Sequence, residues 1–204
     1  AYTGKEHIAV CGYHGWQDWY IGSTTRDLGV PKAVKDLTHK YEYNNIESLE
    51  KIFQEQELAC VIMEPMNVSY PKDGFLEKVK KLTHENNALL IFDETVTGFR
   101  YSLGGAQELF HITPDLATFG KGIANGYPLS AIVGSDEIMQ KIEDVFFSGT
   151  FGGETLSLAA ANAVIDKHKN HDVIGHLVKI GKYLMKQLQE LLDEKDLNDV
   201  FIVA

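Results

Sequence analysis

"ALLIFDE" (88–94) is an unbroken apolar run closed by two acids. The run is too short for a buried helix and too continuous for a strand with one wet face, so it marks a strand covered on both faces of a sheet. The stretch before it, "GFLEKVKKLTHENN" (74–87), has apolar residues at 75, 76, 79 and 82, the spacing of one helical face, with Asn87 as its stop. Further upstream, "ACVIMEP" (59–65) is a second buried-strand run ended by proline, "IESLEKIFQEQ" (46–56) carries another helical stripe, and "HIAVCG" (7–12) reads as a strand. Downstream, "DLATFG" (115–120) and "LSAIVG" (129–134) read as strands. "TLSLAAANAVIDKH" (155–168) and "VIGHLVKIGKYLMKQLQELLDE" (173–194) read as helices. The alternation predicts an α/β fold with a mostly parallel central sheet and helices on both faces. Segment 13–45, with three glycines and several aromatics, is expected as one long irregular loop, a length that in a compact domain is usually functional.

Composition narrows the partners. The 204 residues are 44% apolar and 24% charged, and 19 basic against 29 acidic side chains leave a net charge of -10. That balance argues against binding to a nucleic-acid backbone, which needs a basic face. No apolar run approaches the ~18 residues of a membrane span. Cys11 and Cys60 sit inside apolar runs with no signal peptide in view, so free buried thiols and a cytoplasmic location are expected. The histidines show no ligand spacing, and no metal site is expected. A dinucleotide-binding fold would place a G-x-G-x-x-G after the first strand, and neither that motif nor a P-loop is present. The chain opens almost directly on a strand, and "FIVA" (201–204) stops within a strand-like run. A piece of a longer polypeptide is expected.

In parallel sheets, ligands bind at the carboxyl ends of the strands. Glu64 ends one predicted strand, Asp93 and Glu94 end another, and Lys121 follows a third. Leu89, Ile91 and Asp93 share a face of their strand, and a carboxylate extending such a row needs a cation or strong donor to meet it. Each group alone has an ordinary reading, the lysine as a solvated loop residue and the aspartate as a turn former. Lys121, however, stands between Gly120 and Gly122 on an otherwise uncharged stretch. Glycines on both sides leave clearance for something flat or bulky, and a lysine shielded from water becomes an amine nucleophile. The chemistry that needs it is imine formation with a carbonyl, most commonly that of pyridoxal phosphate. That cofactor also needs an acid opposite its ring nitrogen, which Asp93 can supply.

"LLIFDETVTGFR", followed 28 positions after Asp93 by Lys121 in "FGKGIANGYPLSAIVG", resembles the signature of the class III pyridoxal-phosphate aminotransferases. "GYHGWQDWY" and "SGTFGG" (148–153) are most similar to the glutamate-1-semialdehyde aminomutase-like branch. The resemblance runs from Ala1 to about His168. It implies the large domain of a fold-type I pyridoxal-phosphate transferase over 1–168, lacking its N-terminal part, with 169–204 as a helix leading into a truncated C-terminal small domain. It also implies that Lys121 forms the internal aldimine and relays the substrate proton, that Asp93 partners the pyridine nitrogen, and that Tyr13 stacks on one ring face. Thr95 meets the other face, where the family most often has valine. The resemblance places Glu64 near the phenolic edge, against a turn role before Pro65; His14, beside Tyr13, is read from the residues as a packed or hydrogen-bonded histidine, with an acid/base role as the alternative. Val96 stands where many relatives carry a polar side chain reaching the cofactor's hydroxyl. Thr150 matches a threonine that donates to the phosphate across a dimer interface, which implies a homodimer with shared active sites. The implied activity is transfer of an amino group on a small amino or keto substrate, by an aminotransferase or an aminomutase. "WQDWYIGSTTRDLGVPK" departs from the aminomutase loops and favours a different substrate, such as an amino sugar or another keto compound. The absent phosphate-binding turn and small domain leave open a non-catalytic module that keeps the fold.

Overall fold

A computed structural model describes residues 1–66, 68–197 and 199. At its centre "LLIFD" forms β4 (Leu89–Asp93). Parallel neighbours lie on either side of it, β3 (Leu58–Met63) and β5 (Leu116–Phe119). β1 (His7–Cys11) pairs parallel to β3, and the six-stranded sheet has the order β2-β1-β3-β4-β5-β6.

Leu90 and Phe92 of β4 are fully buried, as are Val61 and Met63 of β3. They pack with Leu49 of α3 (Ile46–Glu55) and Phe75, Leu76 and Val79 of α4 (Phe75–Glu85) in one hydrophobic core. Each such side chain contributes about 1.5–3 kcal/mol through burial. Asn45 caps α3 by accepting from the Ser48 N–H at 3.1 Å, and Asn87 ends α4 at a φ of 53°, a left-handed conformation that asparagine tolerates. On the opposite face, Leu89 and Leu116 line an apolar cleft together with Ile138 of α6 (Asp136–Met139) and Ile142 after it. The sheet is mostly parallel and carries helices, the α/β architecture expected from continuous apolar strands.

The structure overturns one expectation and adds two details. Segment 13–45 is not one irregular loop: it holds α1 (Asp18–Ile21), α2 (Lys32–Lys35) and the edge strand β2 (Thr38–Lys40), parallel to β1. β2 is only three residues long and buries only Thr38, so no apolar run announces it. The strand from "LSAIVG", β6 (Ala131–Gly134), runs antiparallel to β5, because the short connection between them has no crossover helix to bring the chain back parallel. α5 (Ala106–Phe110) has too few residues to show a helical period and was not expected.

The last two helices, α7 (Thr155–Asn170) and α8 (Val173–Glu194), match the sequence reading closely. α7 runs two residues past the expected domain boundary at 168. α8 buries no residue and leaves Leu177, Ile180, Leu184, Leu188 and Leu191 exposed. No described helix is long and apolar enough to cross a membrane. The run "FIVA" lies outside the described residues.

Candidate active site

The register of the sheet sets the site. Cys11 stands beside Met63, Met63 beside Phe92, and Asp93 beside Thr118, so β1, β3, β4 and β5 release their chains along one edge. Residues just beyond them, 12–14, 64, 93–99 and 120–122, therefore share the ligand-binding edge of the sheet.

Asp93 is held from two sides. Its Oδ2 lies 2.9 Å from His14 Nδ1, and the two side chains are 13% and 1% exposed. Its Oδ1 accepts from the Thr95 N–H at 3.0 Å and the Thr118 hydroxyl at 3.2 Å. His14 Nε2 lies 3.1 Å from the carbonyl oxygen of Cys11. A carbonyl and an ionised carboxylate only accept, so a hydrogen bond at either place is donated by the imidazole nitrogen that faces it. Burial pushes the Asp93 carboxyl up, but hydrogen bonds from His14 and Thr95 outweigh it, and the group sits below its ordinary value. A carboxylate at the end of a buried strand is thereby kept charged.

Glu64 fixes the loop that carries His14. Its Oε2 accepts from the Tyr13 N–H at 3.0 Å. A Cβ on Gly12, whose φ is 106°, would stand 2.5 Å from that same oxygen, so glycine there permits the approach. The Tyr13 ring is 61% exposed, edge-on to Tyr20 at 5.5 Å. Tyr20 donates to the Gly12 carbonyl at 2.9 Å, and the indole of Trp19 stacks on His14 at 6.1 Å. Sequence reasoning did not assign Trp19, Tyr20 or Thr118 to this site. The aromatic density of "WQDWY" and the strand register that pairs Thr118 with Asp93 are the signals that carry them.

Lys121 opens a single 3-10 turn, Lys121–Ile123, directly past β5. Its backbone φ is 42°, a left-handed conformation costly for a lysine and the kind of strain that collects at functional sites. The side chain is exposed, and among the described residues it makes no ion pair. The flanking glycines correct the sequence reading. A Cβ on Gly120 would meet the Thr95 methyl at 3.2 Å, and one on Gly122 would stand 3.0 Å from the Gly98 carbonyl oxygen. Their clearance is for the chain's own turn after β4, which they lock against the lysine turn.

Glu94 separates from the site. It is fully buried and accepts from the Thr97 hydroxyl and from the Ala106 and Gln107 N–H groups at 2.8 Å each, capping α5 from inside the protein. Thr95 lies against Gly120, whereas the neighbouring Val96 side chain is exposed. Thr150 sits in an exposed turn, and no hydrogen bond among the described residues joins it to Asp93, His14 or Lys121.

The family model for class-III aminotransferases matches residues 13–201. The chain belongs to that family. Among curated class-III relatives, it is 38% identical over 202 residues to 3-aminobutyryl-CoA aminotransferase of Cloacimonas acidaminovorans, covering 95% of this chain and 48% of the relative. It is 37% identical over 215 residues to glutamate-1-semialdehyde 2,1-aminomutase of Methanothrix thermoacetophila, covering 97% of this chain and 50% of the relative. The chain thus spans about half the length of these curated relatives. Among solved structures, the fold superposes with a TM-score of 0.85 on the pyridoxal-phosphate internal aldimine form of the FumI protein of Sphingopyxis sp. MTA144, at 26% identity over 94% of this chain and 48% of that one. It superposes with a TM-score of 0.80 on an omega-transaminase from Sphaerobacter thermophilus, at 29% identity over 95% and 50%.

Proposed function

We propose that this class-III chain forms the catalytic large domain of a pyridoxal-phosphate-dependent enzyme that transfers an amino group on a small amino or keto substrate. The observation that carries the reading is the His14–Asp93 pair, a carboxylate held ionised at the end of β4 one strand away from Lys121. The residues fit the cofactor. Asp93 can hold a protonated pyridine nitrogen, because His14, Thr95 and Thr118 take three of its carboxylate lone pairs and leave one on Oδ2, and its charge is fixed before any ligand arrives. The exposed Tyr13 ring supplies a stacking face and Thr95 an opposing methyl. Lys121, without an ion-pair partner among the described residues, supplies the amine from its 3-10 turn. Glu64 serves by holding the Tyr13 backbone, and Val96 offers no polar group to the cofactor's hydroxyl. When bound, the cofactor supplies an electron sink that makes the substrate's Cα–H acidic. Lys121 then moves that proton at its Nζ, while Asp93 and His14 keep the ring nitrogen's partner charged.

Thr150 is assigned to the phosphate of a partner's site, in a homodimer with shared active sites located in the cytoplasm. The apolar surface beside Thr150 supports the dimer: Phe146 is 97% exposed, and Phe147 and Phe151 are exposed as well, an apolar concentration typical of contact surfaces. The 1–168 and 169–204 division into large domain and small-domain lead-in is kept as part of the proposal, with α8 as the connecting helix. The substrate side is expected to separate aminomutase from aminotransferase. The test is to supply the full-length protein with amino donors and 2-oxo acids. Ketone or aldehyde product that depends on Lys121 supports the reading, and a protein that binds the cofactor yet exchanges no amino group contradicts it.

A further inference from the structure

Residues 124–127 reverse the chain directly after the Lys121 turn. The Asn125 N–H donates to the Lys121 carbonyl at 3.0 Å, and the Tyr127 N–H donates to the Ala124 carbonyl at 3.2 Å. Asn125 and Gly126, at the centre of the reversal, have φ of 43° and 118°. Asn-Gly is the usual pair where a tight turn needs positive φ twice, so the residue choice has an ordinary explanation. The same pair also sets a side-chain amide carbon next to the least hindered backbone nitrogen a chain can offer.

This is the one Asn-Gly in the sequence, and nothing in the fold shields it. Both residues are exposed, and a Cβ on Gly126 would meet nothing within 4 Å. Among the described residues, neither the Asn125 side chain nor the Gly126 N–H makes a hydrogen bond. The amides of Asn44, Asn86 and Asn170, by contrast, are tied to the carbonyls of Tyr70, Leu82 and Asp166 at 3.0, 2.8 and 2.8 Å. Ala124, at the base of the turn, is buried, so the base is anchored while the tip is open.

We propose that Asn125–Gly126 is a site of spontaneous deamidation, a covalent change that lengthens the backbone beside the Lys121 turn. The Gly126 nitrogen loses its proton to hydroxide and bonds to Asn125 Cγ. The Cγ–Nδ2 bond breaks, water returns a proton to the departing nitrogen, and ammonia leaves a cyclic imide behind. Water then opens the imide. Attack on the main-chain carbonyl carbon gives isoaspartate, with the chain running through the side-chain carbon, and attack on Cγ gives aspartate. One water is consumed and one ammonia released, with no change of oxidation state. Either product adds a negative charge four residues beyond Lys121. Isoaspartate also inserts a methylene between Asn125 Cα and the Gly126 nitrogen, which pulls the Tyr127 N–H out of register with the Ala124 carbonyl. The inference goes beyond the amino-transfer reading and does not depend on it.

The experiment ages full-length protein in mildly alkaline and in mildly acidic buffer, then maps it by digestion and mass spectrometry. Isoaspartate is identified by enzymatic methylation of its free α-carboxylate. Acid at Asn125 with isoaspartate present is expected before any other asparagine converts, and faster in the alkaline buffer, because the attacking nitrogen must be deprotonated. Asn125→Gly keeps the positive φ and removes the amide, so methylation in that peptide should be lost. Hydrogen exchange at the Tyr127 amide is read on the separated isoaspartyl form, where protection should be lost. Asn125→Asp carries the charge without the longer backbone and should keep that protection. An Asn125 that stays an amide in the folded protein, while the same peptide converts after denaturation, would show that the turn protects it and would overturn the proposal. Conversion of another asparagine first, acid at Asn125 without isoaspartate, or unchanged Tyr127 exchange in the isoaspartyl form each overturns it as well. The wild-type protein alone supplies these outcomes, so the test stands even where a variant fails to fold.

Discussion

Asp93 and His14 form the part of the site whose chemistry is most fully determined. An imidazole 1% exposed touches a carboxylate 13% exposed, and losing a hydrogen bond to a buried carboxylate costs about 1–3 kcal/mol. The pH dependence has a definite sign. The folded carboxyl lies below its ordinary value, so its contribution to stability is full above the unfolded value of about 4 and fades as pH falls through the lower folded value. His14→Ala should therefore destabilise the protein near neutrality. The gap to wild type should shrink in melts below pH ~4, and a gap that stays constant across that window would contradict the His14–Asp93 hydrogen bond. Gly122 gives a second test at this scale. A methyl there would stand 3.0 Å from the Gly98 carbonyl, and Gly122→Ala should cost about 1–3 kcal/mol in denaturant titration. If the glycine were clearance for a ligand alone, the cofactor-free protein would be unaffected.

At the scale of elements, the turn between β4 and α5 is built around Glu94. Its carboxylate meets the first N–H groups of α5, and a Cβ on Gly105, at a φ of 81°, would fall 2.5 Å from Glu94 Oε2. Glu94→Gln should cost about 1–3 kcal/mol by weakening charge-assisted bonds, and Gly105→Ala should cost at least as much because backbone strain is added to the clash. Equal stability of both variants and wild type would remove the cap from the account. This turn also shows the limit of sequence reading. The strand from "ALLIF" and the long helices α7 and α8 were legible because each has enough residues to show its period. α5 and β2 were not, because one helical turn or three edge residues carry no period. Asp93 and Glu94 are adjacent and alike in the sequence, yet strand alternation sends them to opposite faces, one to the site and one to a helix end. Lys121 was legible from its spacing to Asp93, but the purpose of its glycines was not, since the turn they touch lies more than 20 residues earlier in the chain.

For the whole molecule, the chain spans half the length of its curated relatives, and its uncovered surfaces follow a pattern. The α8 stripe and the aromatics around Thr150 are apolar and exposed, while the sheet core is closed. Phe147→Asp or Phe151→Asp should shift the full-length protein from dimer to monomer in sedimentation analysis and reduce activity with it. A dimer unaffected by both would place the interface elsewhere. The central claim, that Lys121 is the amine which holds the cofactor, is tested most directly by chemical trapping. Full-length protein is incubated with pyridoxal phosphate, reduced with borohydride, digested and mapped by mass spectrometry. The account predicts a single stable pyridoxyl adduct on Lys121 in wild type and none in Lys121→Ala. An adduct located on another lysine, or one that survives in Lys121→Ala, would contradict it.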